Sequence, residues 1–165
     1  NDIENITIDG VYGGDNGWTG IRLLSRVAHV KHITIRNLYG AYKFNAVSFT
    51  HWNNSPKNFG YFDDILLENI HASSCRLTGT GHGGLIWFQP DVVNVGTVVI
   101  DKVFRTEGEG YLNSTSLIEI GDRVKIGTLS LSRIFEKIPD GKPTLKIGKD
   151  VTIGKLISDG TAEGN

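Results

Sequence analysis

One short pattern is written six times along this chain, and it restricts the possible folds more than any other feature. An apolar residue, any residue, an apolar residue, two mostly polar residues and a further apolar residue recur. They read Ile6-Thr7-Ile8-Asp9-Gly10-Val11, Ile33-Thr34-Ile35-Arg36-Asn37-Leu38 and Ile65-Leu66-Leu67-Glu68-Asn69-Ile70. The series continues as Val98-Val99-Ile100-Asp101-Lys102-Val103 and Leu129-Ser130-Leu131-Ser132-Arg133-Ile134, with a decayed copy from Leu156. The starts at 6, 33, 65, 98, 129 and 156 lie 27, 32, 33, 31 and 27 residues apart. Such a near-constant period marks a chain built from stacked units.

A second series lies between these copies: Ile21-Arg22-Leu23-Leu24, Val47-Ser48-Phe49-Thr50, Ile86-Trp87-Phe88-Gln89, Ile118-Glu119-Ile120-Gly121 and Leu145-Lys146-Ile147-Gly148. Both series alternate apolar and other residues with period 2 and are bounded by Gly, Asn or Asp, as half-buried strands are. A third, shorter strand leads into the first series at Val95, Val124-Lys125-Ile126 and Val151-Thr152-Ile153. No window gives a convincing helix with apolar residues at i, i+3, i+4 and i+7 against a polar opposite face, so helices are not expected. The 21 glycines against four prolines fit a β-rich chain with many turns.

Two or three short strands per period, with no helix between them, predict an all-β, right-handed parallel β-helix of about five to six coils. It would form a single domain over residues 1–165. A propeller blade needs four strands in a longer repeat, and a sandwich needs no such regular spacing. Inward residues such as Ile33/Ile35, Ile65/Leu67 and Val98/Ile100 would stack as aliphatic ladders. Gly10, Asn37, Asn69, Lys102 and Arg133 fall where each coil turns its corner, a place that favours left-handed backbone.

Charge and special residues narrow the chemistry. Lys plus Arg number 17 and Asp plus Glu 18, a net charge of −1 with no one-signed cluster. That balance argues against a nucleic-acid or membrane-surface partner. No apolar run reaches the roughly 18 residues of a membrane span. Cys75 stands alone, so an internal disulfide is excluded and a cysteine zinc site disfavoured. The five histidines (His29, His32, His51, His71, His82) lack metalloprotease spacing, and neither a Gly-x-Ser-x-Gly elbow nor a phosphate loop is present. No cofactor is implied, although turn carboxylates and carbonyls could hold Ca²⁺.

The I-x-I-x-N-hydrophobic repeats with glycine turns resemble the pectin-lyase-like superfamily of β-helix proteins: polygalacturonase-like glycoside hydrolases, polysaccharide lyases and phage tailspikes. The resemblance covers nearly the whole chain but is one of scaffold. It implies a polysaccharide or oligosaccharide partner, an extracellular, cell-surface or virion-surface setting, and a homotrimer or larger parent chain as in tailspikes. The start inside a repeat, at Ile3-Glu4-Asn5-Ile6, leads to the expectation of a portion of a longer protein. Asp63-Asp64 and Gly81-His82-Gly83 are similar to two polygalacturonase motifs. They lead into different strand series here, however, so the repeat does not bring them face to face, and turn aspartates and a loop histidine are the expectation.

If the second series buries Ile21/Leu23, Val47/Phe49, Ile86/Phe88, Ile118/Ile120 and Leu145/Ile147, the residues between them form one outward column. That column is Arg22, Ser48, Trp87, Glu119 and Lys146, flanked by Gln89 and by the strand exit His51-Trp52. An aromatic face among polar groups is the composition of a sugar-binding surface. The expected substrate-binding residues are therefore Trp87, Gln89, Arg22, Ser48, Glu119, His51 and Trp52. Covering of the core is the competing role for the tryptophans. No spacing singles out a catalytic pair; the carboxylates in place are Glu119, Asp15 and Asp122. Three functions stay open: a glycan-degrading enzyme or tailspike part, a non-catalytic carbohydrate-binding module, and a structural solenoid for oligomer or fibre assembly.

Overall fold

The structure is a computed structural model and describes residues 2–51, 61–74, 83–91, 94–106, 116–137 and 144–159. Its strands are β1 (Ile3–Ser25), β2 (His29–His51), β3 (Tyr61–Ser74), β4 (Ile86–Phe88), β5 (Val95–Thr106), β6 (Ile118–Ile120), β7 (Lys125–Lys137), β8 (Leu145–Ile147) and β9 (Thr152–Ser158). Every pairing is parallel, in the order β8-β6-β4-β2-β3-β5-β7-β9 with β1 on β2. The described residues contain no helix. The chain is a parallel β-solenoid.

The two series become two faces of each coil. Ile6, Ile33, Ile65, Val98, Leu129 and Leu156 pair in sequence across six strands. Ile21, Val47, Ile86, Ile118 and Leu145 do the same on the second face. The short lead-in strands form a third face through Val30, Phe62, Val95 and Ile126. A parallel ladder repeats at about 4.8 Å, so equivalent inward side chains touch along the axis and exclude water. Inside, Phe49 stacks on Phe88 at 4.3 Å and 4° and meets Phe62 edge-on at 5.5 Å.

The winding amounts to about four turns, fewer than the five to six coils expected. Each copy of the pattern marks one rung, and the outer rungs, on β1 and β9, have a neighbour on one side only. Burial records this: Ile33, Ile65, Val98 and Leu129 are at most 2 % exposed, whereas Ile6 is 39 % and Leu156 51 % exposed.

The corners behave as the residue types predict. Gly10, Asn37, Asn69, Lys102 and Arg133 all have positive φ, between 50° and 76°. Asn37 and Asn69 add a hydrogen-bonded column, Asn69 Nδ2 donating to Asn37 Oδ1 at 2.5 Å and Asn37 Nδ2 to Asp9 Oδ1 at 2.7 Å. The lysine and arginine are less obvious occupants of this backbone. Arg133 is tied down by Asp101, which also accepts from Ser132 Oγ at 2.7 Å. This charge-assisted bonding to Arg133 holds the Asp101 carboxyl below the ordinary carboxylate range.

Candidate functional site

The residues of the second-face column stand in register on successive strands. Arg22 pairs with Ser48, Ser48 with Trp87, Trp87 with Glu119 and Glu119 with Lys146, one residue per strand. The strand exits continue the ladder, the N–H of Gln89 donating to the Phe49 carbonyl at 2.9 Å and that of Gly121 to the Phe88 carbonyl at 2.9 Å.

Access along this column is uneven. Arg22 is exposed and its Nε donates to Thr50 Oγ1 at 2.9 Å. Ser48 and His51 are buried, at 2 % and 4 % exposure, so the second rung offers little to a ligand from solution. Asn45 Nδ2 donates to the Gly84 carbonyl at 2.7 Å, which ties the Gly83–Gly84 segment of the next rung to β2. Trp87 is half-buried with Gly83 against its indole, so that a Cβ on Gly83 would overlap the ring. Gln89 is turned back on the scaffold, its Oε1 accepting from the His51 N–H at 3.1 Å. His51 Nε2 lies 3.1 Å from the Pro90 carbonyl, which it can meet only as an N–H donor.

The carboxylates are engaged as well. Glu119 is half-buried and faces Lys146 at 3.3 Å. Asp122 Oδ1 accepts the N–H of Lys149 at 2.8 Å, a turn bond between neighbouring coils. Asp91, next to Gln89 and Pro90, takes Arg123 through both oxygens at 2.6 and 2.9 Å, and this pairing holds its carboxyl below the usual range. The side chain of Asp15, all of Trp52, and Cys75 and His82 lie outside the described residues. Asp63 and Asp64, from the polygalacturonase-like motif, have separate local roles. Asp63 Oδ1 accepts the N–H groups of Asp64 and Thr97 at 2.8 and 2.7 Å, while Asp64 meets His32 Nδ1 at 2.7 Å. Among the described residues no group of three or more His, Cys, Asp or Glu could hold a metal ion.

A second feature escaped the sequence reading. On the outside of the first face, Tyr12, Tyr39, His71, Phe104 and Phe135 pair in register and stack. Successive ring centroids are 5.1, 5.1, 4.4 and 4.8 Å apart. The signal was present, because each ring stands six residues after the start of its first-series copy. His71 Nε2 meets Asn69 Oδ1 at 3.0 Å, so the neutral Nε2–H form serves there. Burial, followed by the charge of Lys102, lowers the pKa of His71. Rings this close leave no room for a sugar between them; the stripe offers edges, not faces.

The chain matches no protein-family model, no curated protein and no solved structure.

Proposed function

We propose that this solenoid binds glycan along its second face, as a part or relative of a glycan-degrading enzyme or a tailspike-like receptor-binding protein. The scaffold resemblance supports a pectin-lyase-like ancestry and a setting outside the cell or on a virion. The observation that carries the reading is the line Arg22–Ser48–Trp87–Glu119–Lys146, which sets an indole between charged and polar groups on successive rungs. Sugar recognition asks for this combination: an aromatic surface for the apolar side of a pyranose and polar groups for its hydroxyls. Arg22 and Lys146 are exposed, and Trp87 and Glu119 are half-buried.

Binding is favoured over cleavage. Glycoside hydrolysis needs one carboxyl free to give a proton and a second free to attack or to activate water. Glu119 is paired with Lys146 and Asp122 is committed to the Lys149 N–H. A glycan-array screen, followed by incubation of the hits with a reducing-end and an unsaturated-product assay, tests this. Binding without product is the expected result; product formation makes the protein an enzyme, and no binding to any glycan defeats the reading.

A structural solenoid for assembly has one specific observation in its favour. The aromatic stripe on the first face is bare at its ends, Tyr12 being 78 % and Phe135 36 % exposed. Sedimentation equilibrium decides it: a trimer that falls apart on Phe104→Ser substitution supports assembly through this stripe.

A further inference from the structure

A cleft of about 310 Å³ lies on the third face, built from three stacked rungs of the coil. This volume is at the small end of ligand pockets, which run from about 300 to 1,000 Å³, and suits one small molecule or one unit of a chain. One wall is the outward column His29, Tyr61 and Asn94; the other is Lys31, Asp63 and Gly96.

The walls differ from the rest of the surface in how their faces and oxygens are used. His29 and Tyr61 stack at 4.8 Å and 9°, and the stack stops there, because the next rung carries Asn94 at a φ of +61°. The second face of the Tyr61 ring is therefore not taken by another ring among the described residues, unlike the inner rings of the Tyr12–Phe135 stripe. Opposite it, Asp63 leans over Gly96 in space that a side chain there would fill. Its Oδ1 is fixed by the N–H groups of Asp64 and Thr97, while Oδ2 receives no bond from the described residues. The Tyr61 hydroxyl and the Asn94 side-chain amide are likewise unengaged by them, whereas the Asn94 main-chain carbonyl accepts the Phe62 N–H at 3.4 Å.

Charge decides the class of ligand. Lys31 lies within 3.4 Å of Asp2 and 3.3 Å of Glu4, so its ammonium is already answered twice. Lys125 stands one rung beyond Asn94, and with it two cations face the three carboxylates Asp2, Glu4 and Asp63; the neighbourhood stays net negative, which disfavours uronates, phosphates and sulfates. We propose that this cleft binds one neutral pyranose unit, its apolar side on Tyr61 and its hydroxyls donating to Asp63 Oδ2 and bonding the Asn94 amide. The site is on another face from Trp87 and goes beyond the glycan reading given above; either can fail without the other.

The test is a ¹H–¹⁵N NMR titration of the full chain with glucose, galactose, mannose and N-acetylglucosamine, with galacturonate and ethanolamine as charged probes. At least one neutral sugar should shift the amides of Tyr61, Asn94 and Gly96 with saturation near the millimolar range, where isolated monosaccharide contacts of a few kcal/mol fall. Asp63→Asn should weaken binding about tenfold, the loss expected for a charge-assisted hydrogen bond. Tyr61→Leu, which keeps bulk if Tyr61→Ala fails to fold, should abolish saturation, and Trp87→Ala should leave it unchanged. The proposal is overturned if no neutral sugar shifts these amides, if the shifts survive both cleft variants, or if only galacturonate or ethanolamine binds.

Discussion

Gly83 lies against the indole of Trp87 so closely that a methyl group on it would overlap the ring. Its backbone also sits at a φ of +64°, where a side chain is strained whatever the space. Gly83→Ala should therefore destabilise the protein by about 1–3 kcal/mol and shift tryptophan emission as the ring is displaced. Urea unfolding with fluorescence detection checks both. Unchanged stability and emission would show that the ring is not held there.

The Asn69 corner separates backbone strain from hydrogen bonding. Asn69 has a φ of 55° and bonds Asn37, the Tyr39 hydroxyl and His71. Asn69→Gly loses the bonds but keeps the backbone free, whereas Asn69→Ala loses both. The alanine variant should be less stable than the glycine variant by about 1 kcal/mol, measured by chemical denaturation. The reverse order would contradict the left-handed corner.

His71 gives a pH dependence with a definite sign. Burial lowers its pKa in the folded state below the ordinary value of 6.5, so the unfolded chain takes up the proton first as pH falls. Its contribution to stability is present above 6.5 and is lost as pH falls through the lowered value. Asp91 and Asp101 also have lowered values, starting from 3.8, so their contributions are lost only in stronger acid. Urea midpoints across the acid range should show two separate declines, and His71→Phe should remove the upper one while keeping a ring in the stack. A single decline, unaltered by this substitution, would contradict the assignment.

Phenylalanine appears on both sides of the wall, and its cost of removal should differ. Phe88 is fully buried and stacks on Phe49, so Phe88→Ala should cost about 3–5 kcal/mol. Phe135, at the bare end of the outer stripe, is 36 % exposed, and Phe135→Ala should cost well under half of that. Equal losses would mean that inside and outside have been exchanged.

Much of this arrangement was legible in the sequence because a parallel solenoid repeats its chemistry once per turn. The inward columns and the order Arg22, Ser48, Trp87, Glu119, Lys146 follow from period-2 alternation plus the coil period. The left-handed corners follow from Asn37 and Asn69, although Lys102 and Arg133 occupy the same backbone only with local support, which Asp101 supplies to Arg133. The outer stripe was hidden by its mixed residue types, Tyr, Tyr, His, Phe and Phe, whose common property is a flat ring. The burial of Ser48 and His51 was not legible, because alternation says which way a side chain points and not what lies over it. The cleft at Tyr61 depends on an absence, the missing side chain of Gly96, which has no periodic signature.

The most direct test of glycan binding on the second face is the affinity of the Trp87→Ala variant for the best array hit, measured by calorimetry beside a circular-dichroism check of the fold. On the scale of base–aromatic stacking, about 1–3 kcal/mol per contact, affinity should fall by roughly five- to 150-fold with the spectrum unchanged. Undiminished affinity in a folded Trp87→Ala protein would contradict the account.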